Sequence, residues 1–392
     1  MGLDRPRVFL IILDGVGIGA APDASLYGDE GSDTLGNLAR LQSGLHLPEL
    51  QKLGLGNISS LAGVPGVTEP KASYGKMTPQ SVGKDSISGH WEICGIRLDI
   101  PFPTYPNGFP AEVVDLVEEV CGAAILGNEV ASGTEIMARL GGEHLRTGRL
   151  ILYTSADSVL QLLAHEDIIP LDQLYRICEE IHTRFVPPHR VARIIARPFM
   201  GKEGAFQRTS NRKDFALAPP AVTILDLIHD NGYTVIGIGK VDTLFAGRGF
   251  SQAIHTKSNR EGISRIQEMI KLFSCGLVFA NLIDFDMLWG HRNDPIGFQR
   301  GLEELDRYLP DWLTYARDDD LFILTADHGN DPTTVSTDHT REYVPLLAWR
   351  GRGGQGNNLG IRDSFCDVAA TLAEFFGIAW NRLGRSFLVQ AS

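Results

Sequence analysis

TILDLIHDNGYTVIGIGK at residues 223–240, then SNREGISRIQEMIKLFS at 258–274, GLVFANLID at 276–284 and LFILTAD at 321–327, decide the fold of this 392-residue chain. The first and second of these stretches carry apolar residues at helical spacing, whereas YTVIGIGK, GLVFANLID and LFILTAD are nearly continuous apolar runs of strand length. A further helical segment is expected near 295–316. Strands of this kind, alternating with amphipathic helices, predict an α/β fold whose mostly parallel sheet is covered by helices on both faces. VFLIIL at residues 8–13 has the same character and is expected to join that sheet.

Between this first strand and the α/β pattern the composition changes. PFPTYPNGFP at 101–110 and LAPP at 217–220 read as two hinges. They bracket an expected helix at 111–121, strands near 123–130, 149–155 and 191–197, and an amphipathic segment near 171–184. The domain reading is therefore a core of residues 1–100 and 221–392 carrying an inserted, smaller α/β cap at 101–220.

In open α/β sheets, functional groups collect at the carboxyl ends of the strands. Asp14 closes the first strand, Asp284 and Asp286 follow the strand at 276, and Asp327 ends LFILTAD. His291, His328 and His339 accompany them, in DFDMLWGHR and TADHGNDPTTVSTDH. Hard oxygen and imidazole donors without thiolate suit a pair of divalent ions such as Mn²⁺, Zn²⁺ or Fe²⁺. Two such ions commonly clamp a phosphoryl group during in-line displacement. Asp284 and Asp286 compete for one ligand role; a loop from Asp286 to His291 could fold both onto one ion, and Asp284, two residues back, would instead cap or support.

GKDSISGHWE at 83–92 offers two candidate nucleophiles, Ser86 and Ser88, with Lys84 beside them. Arginines 190, 193, 197, 208 and 212, with Lys240 after YTVIGIGK, could hold a second phosphate.

The formal charge of −12 argues against a nucleic-acid surface. Five scattered cysteines without CxxC spacing fit reduced thiols and a cytoplasmic location. The run at 8–13 is too short for a membrane span or a signal segment. Neither a membrane anchor nor a protein partner is expected.

DGVGIGAAPDA at 14–24, GKDSISGHWE at 83–92, YTSADSVLQ at 153–161, FDMLWGHRND at 285–294 and TADHGNDPTTVSTDHTRE at 325–342 together resemble the phosphopentomutase family of the alkaline phosphatase superfamily. The resemblance implies an alkaline-phosphatase-like α/β/α core with an inserted cap, acting on (deoxy)ribose 1- and 5-phosphates. It also implies two Mn²⁺ ions and a sugar bisphosphate activator. One ion would be held by Asp286, His291 and His339, the other by Asp14, Asp327, His328 and the nucleophile, which maps to Ser86. Asp157, Arg193, Arg208 and Lys240 map to the cap side, where the sugar and its distal phosphate would bind. The family usually has threonine where this chain has Ser86; serine offers the same hydroxyl without the methyl that restricts χ1. A phosphoglycerate mutase of the same superfamily, a plain phosphatase or phosphodiesterase, and a metal that only staples the fold are the competing readings.

Overall fold

The strand Arg7–Leu13 is buried along its whole length and pairs in parallel with Gly276–Leu282 on one side and Leu321–Thr325 on the other. The computed structural model describes residues 6–155 and 158–388. The chain divides into two compact units, Met1–Ile100 together with Ala218–Ser392, and Pro101–Leu217. The division falls within the LAPP stretch, so Pro219 and Pro220 belong to the first unit rather than to the insertion.

The first unit is built on an eight-stranded sheet in the order Gln252–Ile254, Thr234–Ile238, Gly276–Leu282, Arg7–Leu13, Leu321–Thr325, Val344–Arg350, Ser73–Met77 and Asn358–Arg362. The first five are mutually parallel; Val344–Arg350 runs antiparallel to both neighbours. Helix Asn259–Leu272 buries Ile263, Ile266 and Ile270, and helix Pro295–Tyr315 buries Phe298, Leu302, Leu305, Leu309 and Trp312. Their three- and four-residue spacing puts one apolar stripe on each helix. Asp294 caps the second of these helices by accepting from Gly297 N, and Pro295 begins it, where its missing N–H costs nothing.

The second unit has its own sheet, ordered Leu126–Val130, Ile151–Thr154, Val159–His165, Arg193–Met200 and Gln207–Arg208, with Lys213–Ala216 also paired to Arg193–Met200. Its two faces follow the two-residue period of a strand. Leu152, Leu160 and Leu162 pack with Val113, Val117, Leu174 and Ile181 of helices Ala111–Cys121 and Leu171–Arg184. Ile151, Tyr153 and Leu163 instead pack with Ile136 and Met137 of helix Gly133–Thr147. That helix and the strand Val159–His165 were not among the expected elements. Gly141 and Gly142 interrupt the helix's apolar pattern, and a Cβ on Gly141 would come 2.5 Å from the Phe206 ring, so the glycine is there for close packing.

Arg7 opens the central strand yet is only 1% exposed. Its guanidinium donates to Asp320 at 2.7 Å and to the carbonyls of Ile270 and Phe273 at 2.9 and 2.8 Å. This ties the amino end of the central strand to the turn before its neighbour. Removing one partner strands a buried charge, whereas removing both does not. Asp320→Ala should therefore lower the unfolding free energy in urea by about 3–5 kcal/mol, while the double change Arg7→Met with Asp320→Leu should cost much less.

Candidate metal centre

Asp14 directly follows the central strand, Asp327 lies two residues beyond Thr325 on the neighbouring strand, and the parallel register brings their carboxyl ends side by side. With His328 they form one group whose ligand atoms all lie within 4.8 Å of one another. His328 Nε2 is 3.4 Å from Asp14 Oδ1 and 3.2 Å from Asp327 Oδ2. Ser86 Oγ lies 3.1 Å from the same nitrogen. Ser88 is buried, and its hydroxyl donates to Asp85 O at 2.8 Å.

Asp286, His291 and His339 form a second group within the same limit. The segment Phe285–Gly290 is a π-helix, and His291 N donates to Asp286 O at 2.9 Å. A five-residue spacing that would diverge on an α-helix therefore converges here. Asp286 Oδ1 is 3.1 Å from His339 Nε2, and Oδ2 is 3.3 Å from His291 Nε2. Asp284 has the other role: it accepts from Asn259 N at 2.7 Å and so holds the start of helix Asn259–Leu272. The two groups adjoin, with the His328 and His339 ring centroids 4.0 Å apart.

Such crowding is electrostatically expensive. Burial, and then the facing charge of Asp327, push the Asp14 carboxyl up to about 6. Burial opposes ionisation of Asp286 as well, but the charge of His339 and the hydrogen bonds of both imidazoles outweigh it and hold that carboxyl well below the usual range. Burial works against a charged His291, yet its bond to Asp286 prevails and pushes it up to about 9. His328 is likewise held well above its ordinary value: burial opposes, and Asp327 leads the groups that overcome it. Asp14 Oδ1 and Asp327 Oδ2 are buried without a hydrogen-bond partner. Unpaired carboxylate oxygens beside imidazoles are the donor set that a divalent cation satisfies.

The metalloenzyme superfamily model matches residues 6–380. A phosphopentomutase from Dictyoglomus turgidum is 53% identical over 382 residues, 97% of each chain. Another, from Alkaliphilus oremlandii, is 50% identical over 381 residues, 97% of this chain and 98% of the relative. The chain belongs to the phosphopentomutase family. As a phosphopentomutase-family member of the metalloenzyme superfamily it is an isomerase that binds divalent metal, on a mixed α/β core. Among solved structures, the PH0037 protein from Pyrococcus horikoshii shares the fold with a TM-score of 0.51 at 15% identity, covering 97% of this chain and 100% of that one.

In this member of the phosphopentomutase family, the loop leading to Ser86 is pinned from two directions. Arg341, 3% exposed, donates to the carbonyls of Ser81 at 2.7 Å, Gly83 at 2.5 Å and Pro79 at 3.0 Å. Glu92 accepts from Gln80 N, Ser81 N and Phe365 N. Behind Ser86, His90 Nδ1 donates to the Ser86 carbonyl at 2.8 Å and lies 3.1 Å from Asp327 Oδ2. A Cβ on Gly89 would sit 2.2 Å from Asp327 O, so the Ser86–Ile93 helix docks directly on the backbone of that residue. None of these supporting roles was read from the sequence. The one available signal was the four-residue spacing of Ser86 and His90, which places them on one helix face.

Lys84 pairs with Asp29 at 3.1 Å and Asp338 at 3.4 Å, rather than standing free. Lys240 lies in the first unit, as the expected boundaries had it, exposed just past the carboxyl end of Thr234–Ile238. In the second unit, Arg193 opens the strand Arg193–Met200 with Asp214 3.9 Å away, and Arg208 donates to Thr134 Oγ1 at 2.7 Å. Asp157 falls outside the described residues.

A histidine must be neutral to ligate metal. With His291 at about 9 and His328 also raised, both carry protons at neutral pH in the metal-free protein, so metal uptake should release protons and apparent affinity should rise as pH is raised toward 9. Below about pH 6 the Asp14 carboxyl adds a further competing proton. Calorimetric Mn²⁺ titrations in buffers of different ionisation enthalpy check this; buffer-independent heats would contradict it.

Proposed function

We propose that this chain interconverts the 1-phosphates and 5-phosphates of ribose and 2-deoxyribose, with Ser86 carrying the phosphoryl group. The observation that carries this reading is Ser86 Oγ at 3.1 Å from His328 Nε2, on the edge of the Asp14, Asp327 and His328 group, in a chain whose relatives bear the phosphopentomutase name. Asp286, His291 and His339 would hold one ion, and Asp14, Asp327, His328 and Ser86 the other. Divalent ions bound there, Mn²⁺ in this reading, neutralise charge on phosphoryl oxygens and make a serine hydroxyl a better nucleophile.

The reaction begins with Ser86 phosphorylated, a state first reached by transfer from a sugar bisphosphate. The phosphoryl group passes to the free hydroxyl of an incoming pentose monophosphate: the P–Oγ bond breaks, the P–O bond to the sugar forms, and the sugar's hydroxyl proton ends on Ser86 Oγ. The resulting bisphosphate reorients. Ser86 Oγ then attacks the other phosphoryl group and loses its proton to the departing sugar oxygen, so the phosphoenzyme is regenerated and the isomer leaves. Within this reading the clamps of Arg341 and Glu92 hold Ser86 in line, because misplacing the nucleophile by an ångström is costly.

Asp157, Arg193, Arg208 and Lys240 would bind the sugar and its distal phosphate, the guanidiniums by paired hydrogen bonds. The free thiols of Cys94, Cys121, Cys178 and Cys366 are consistent with a reducing compartment, and the proposal includes a cytoplasmic location. Among the described residues no helix is long and apolar enough to cross a membrane.

Ser86→Ala is expected to lose at least about a thousandfold in turnover, as for other nucleophile deletions, while still binding metal. Intact-mass analysis after exposure to a sugar bisphosphate should show one added phosphoryl group on the parent and none on the variant. A labelled Ser86→Ala protein would move the nucleophile elsewhere.

A further inference from the structure

Each group contains a carboxylate with one oxygen held by a buried asparagine. Asn281 Nδ2 donates to Asp14 Oδ2 at 2.7 Å, and Asn330 Nδ2 donates to Asp286 Oδ1 at 2.7 Å. Both asparagines are almost fully buried, at 4% and 1% exposure. We infer that Asn281 and Asn330 are positioning residues of the metal centre, each orienting one carboxylate, and that each sets the affinity of a different ion site. The inference rests on the metal-ligand reading above.

Three observations carry it. First, the bond fixes the carboxylate beside the imidazoles: Asp14 Oδ1 is left without a hydrogen-bond partner 3.4 Å from His328 Nε2, and Asp286 presents Oδ2 to His291 at 3.3 Å while its asparagine-bonded Oδ1 lies 3.1 Å from His339 Nε2. Second, both amides give their NH₂ to the carboxylate while their own Oδ1 atoms are left buried and unpartnered. An amide present merely to satisfy local polar groups would not leave its acceptor orphaned, since that omission costs about 1–3 kcal/mol. Third, the space is built for Asn330. A Cβ on Gly290 would fall 2.4 Å from its Cγ, one on Gly15 would fall 3.0 Å from its Cβ, and Asn330 N donates to Gly15 O at 2.7 Å. Asn281 is set by strand register instead, opposite Ile12 and two residues before the level of Asp14.

The choice of amide follows from charge. A lysine or arginine at either position would orient the carboxylate but repel a cation, and a second carboxylate would compete for it. A neutral donor fixes rotation of the ligand and leaves its charge available to an ion.

The test uses metal-free full-length protein titrated with Mn²⁺ against a competing chelator, with thermal unfolding measured with and without Mn²⁺. The parent should take up two ions. Asn281→Ala should weaken one of them by about 10–100-fold and Asn330→Ala the other by a similar factor. An Asp14→Ala background assigns the sites: adding Asn281→Ala should change nothing further, whereas adding Asn330→Ala should still weaken the remaining ion. Asn281→Ser and Asn330→Ser supply smaller changes should an alanine variant fail to fold. A purely structural amide would lower the metal-free melting temperature and leave both affinities at parental values, and that result would overturn the inference; so would equal weakening of both ions by each single variant. A folded parent that takes up fewer than two ions would instead overturn the metal-site reading, and the inference with it.

Discussion

Three carboxylates, Asp14, Asp286 and Asp327, are crowded at the carboxyl edge of three adjacent parallel strands, Asp14 and Asp327 buried and Asp286 partly so. Like charges this close cannot all remain ionised at ordinary cost without cations. Much of the surrounding structure answers that constraint. Three imidazoles share the space, two asparagines and the Gly15 backbone N–H each fix one oxygen, and the π-helical turn brings Asp286 and His291 together. Asp327 shows the arrangement most fully: Oδ1 accepts from Gly15 N at 3.1 Å, while Oδ2 stays without a hydrogen bond beside His328 and His90. In Asp14 and Asp327 one oxygen is satisfied, which keeps the carboxylate oriented, and the other is left without a hydrogen bond.

The serine hydroxyl then has to arrive at this edge on a rigid support. Helix Ser86–Ile93 begins with Asp85 accepting from Ile87 N and Ser88 N, and its glycine at position 89 lets it touch the Asp327 backbone. Arg341 and Glu92 fasten the preceding loop through backbone carbonyls and N–H groups respectively. Residues within the GHWE and DHTRE strings that touch no metal therefore have a physical purpose. They hold the loop whose displacement would separate Ser86 from His328.

Much of this was legible in the sequence because it obeys simple periods. Apolar strand runs ending in aspartate predicted both the parallel sheet and where its acidic residues would gather. Spacing alone left Asp284 beside Asp286 and Ser88 beside Ser86, and only the family resemblance chose between them, since local pattern does not reveal a π-turn or which hydroxyl a helix consumes. Asn281 and Asn330 gave no signal, because an asparagine near a strand end reads equally well as a turn residue. Helix Gly133–Thr147 was obscured by its paired glycines, whose reason lies in the Phe206 ring rather than in local propensity.

In the proposed reaction this site moves a phosphoryl group within a sugar rather than releasing it to water. The most direct test is a ³¹P NMR time course of Mn²⁺-loaded protein with ribose 5-phosphate and a catalytic amount of sugar bisphosphate. Ribose 1-phosphate should grow to an equilibrium mixture without matching inorganic phosphate. Release of inorganic phosphate as the main product would contradict that reaction and make the same constellation a phosphatase.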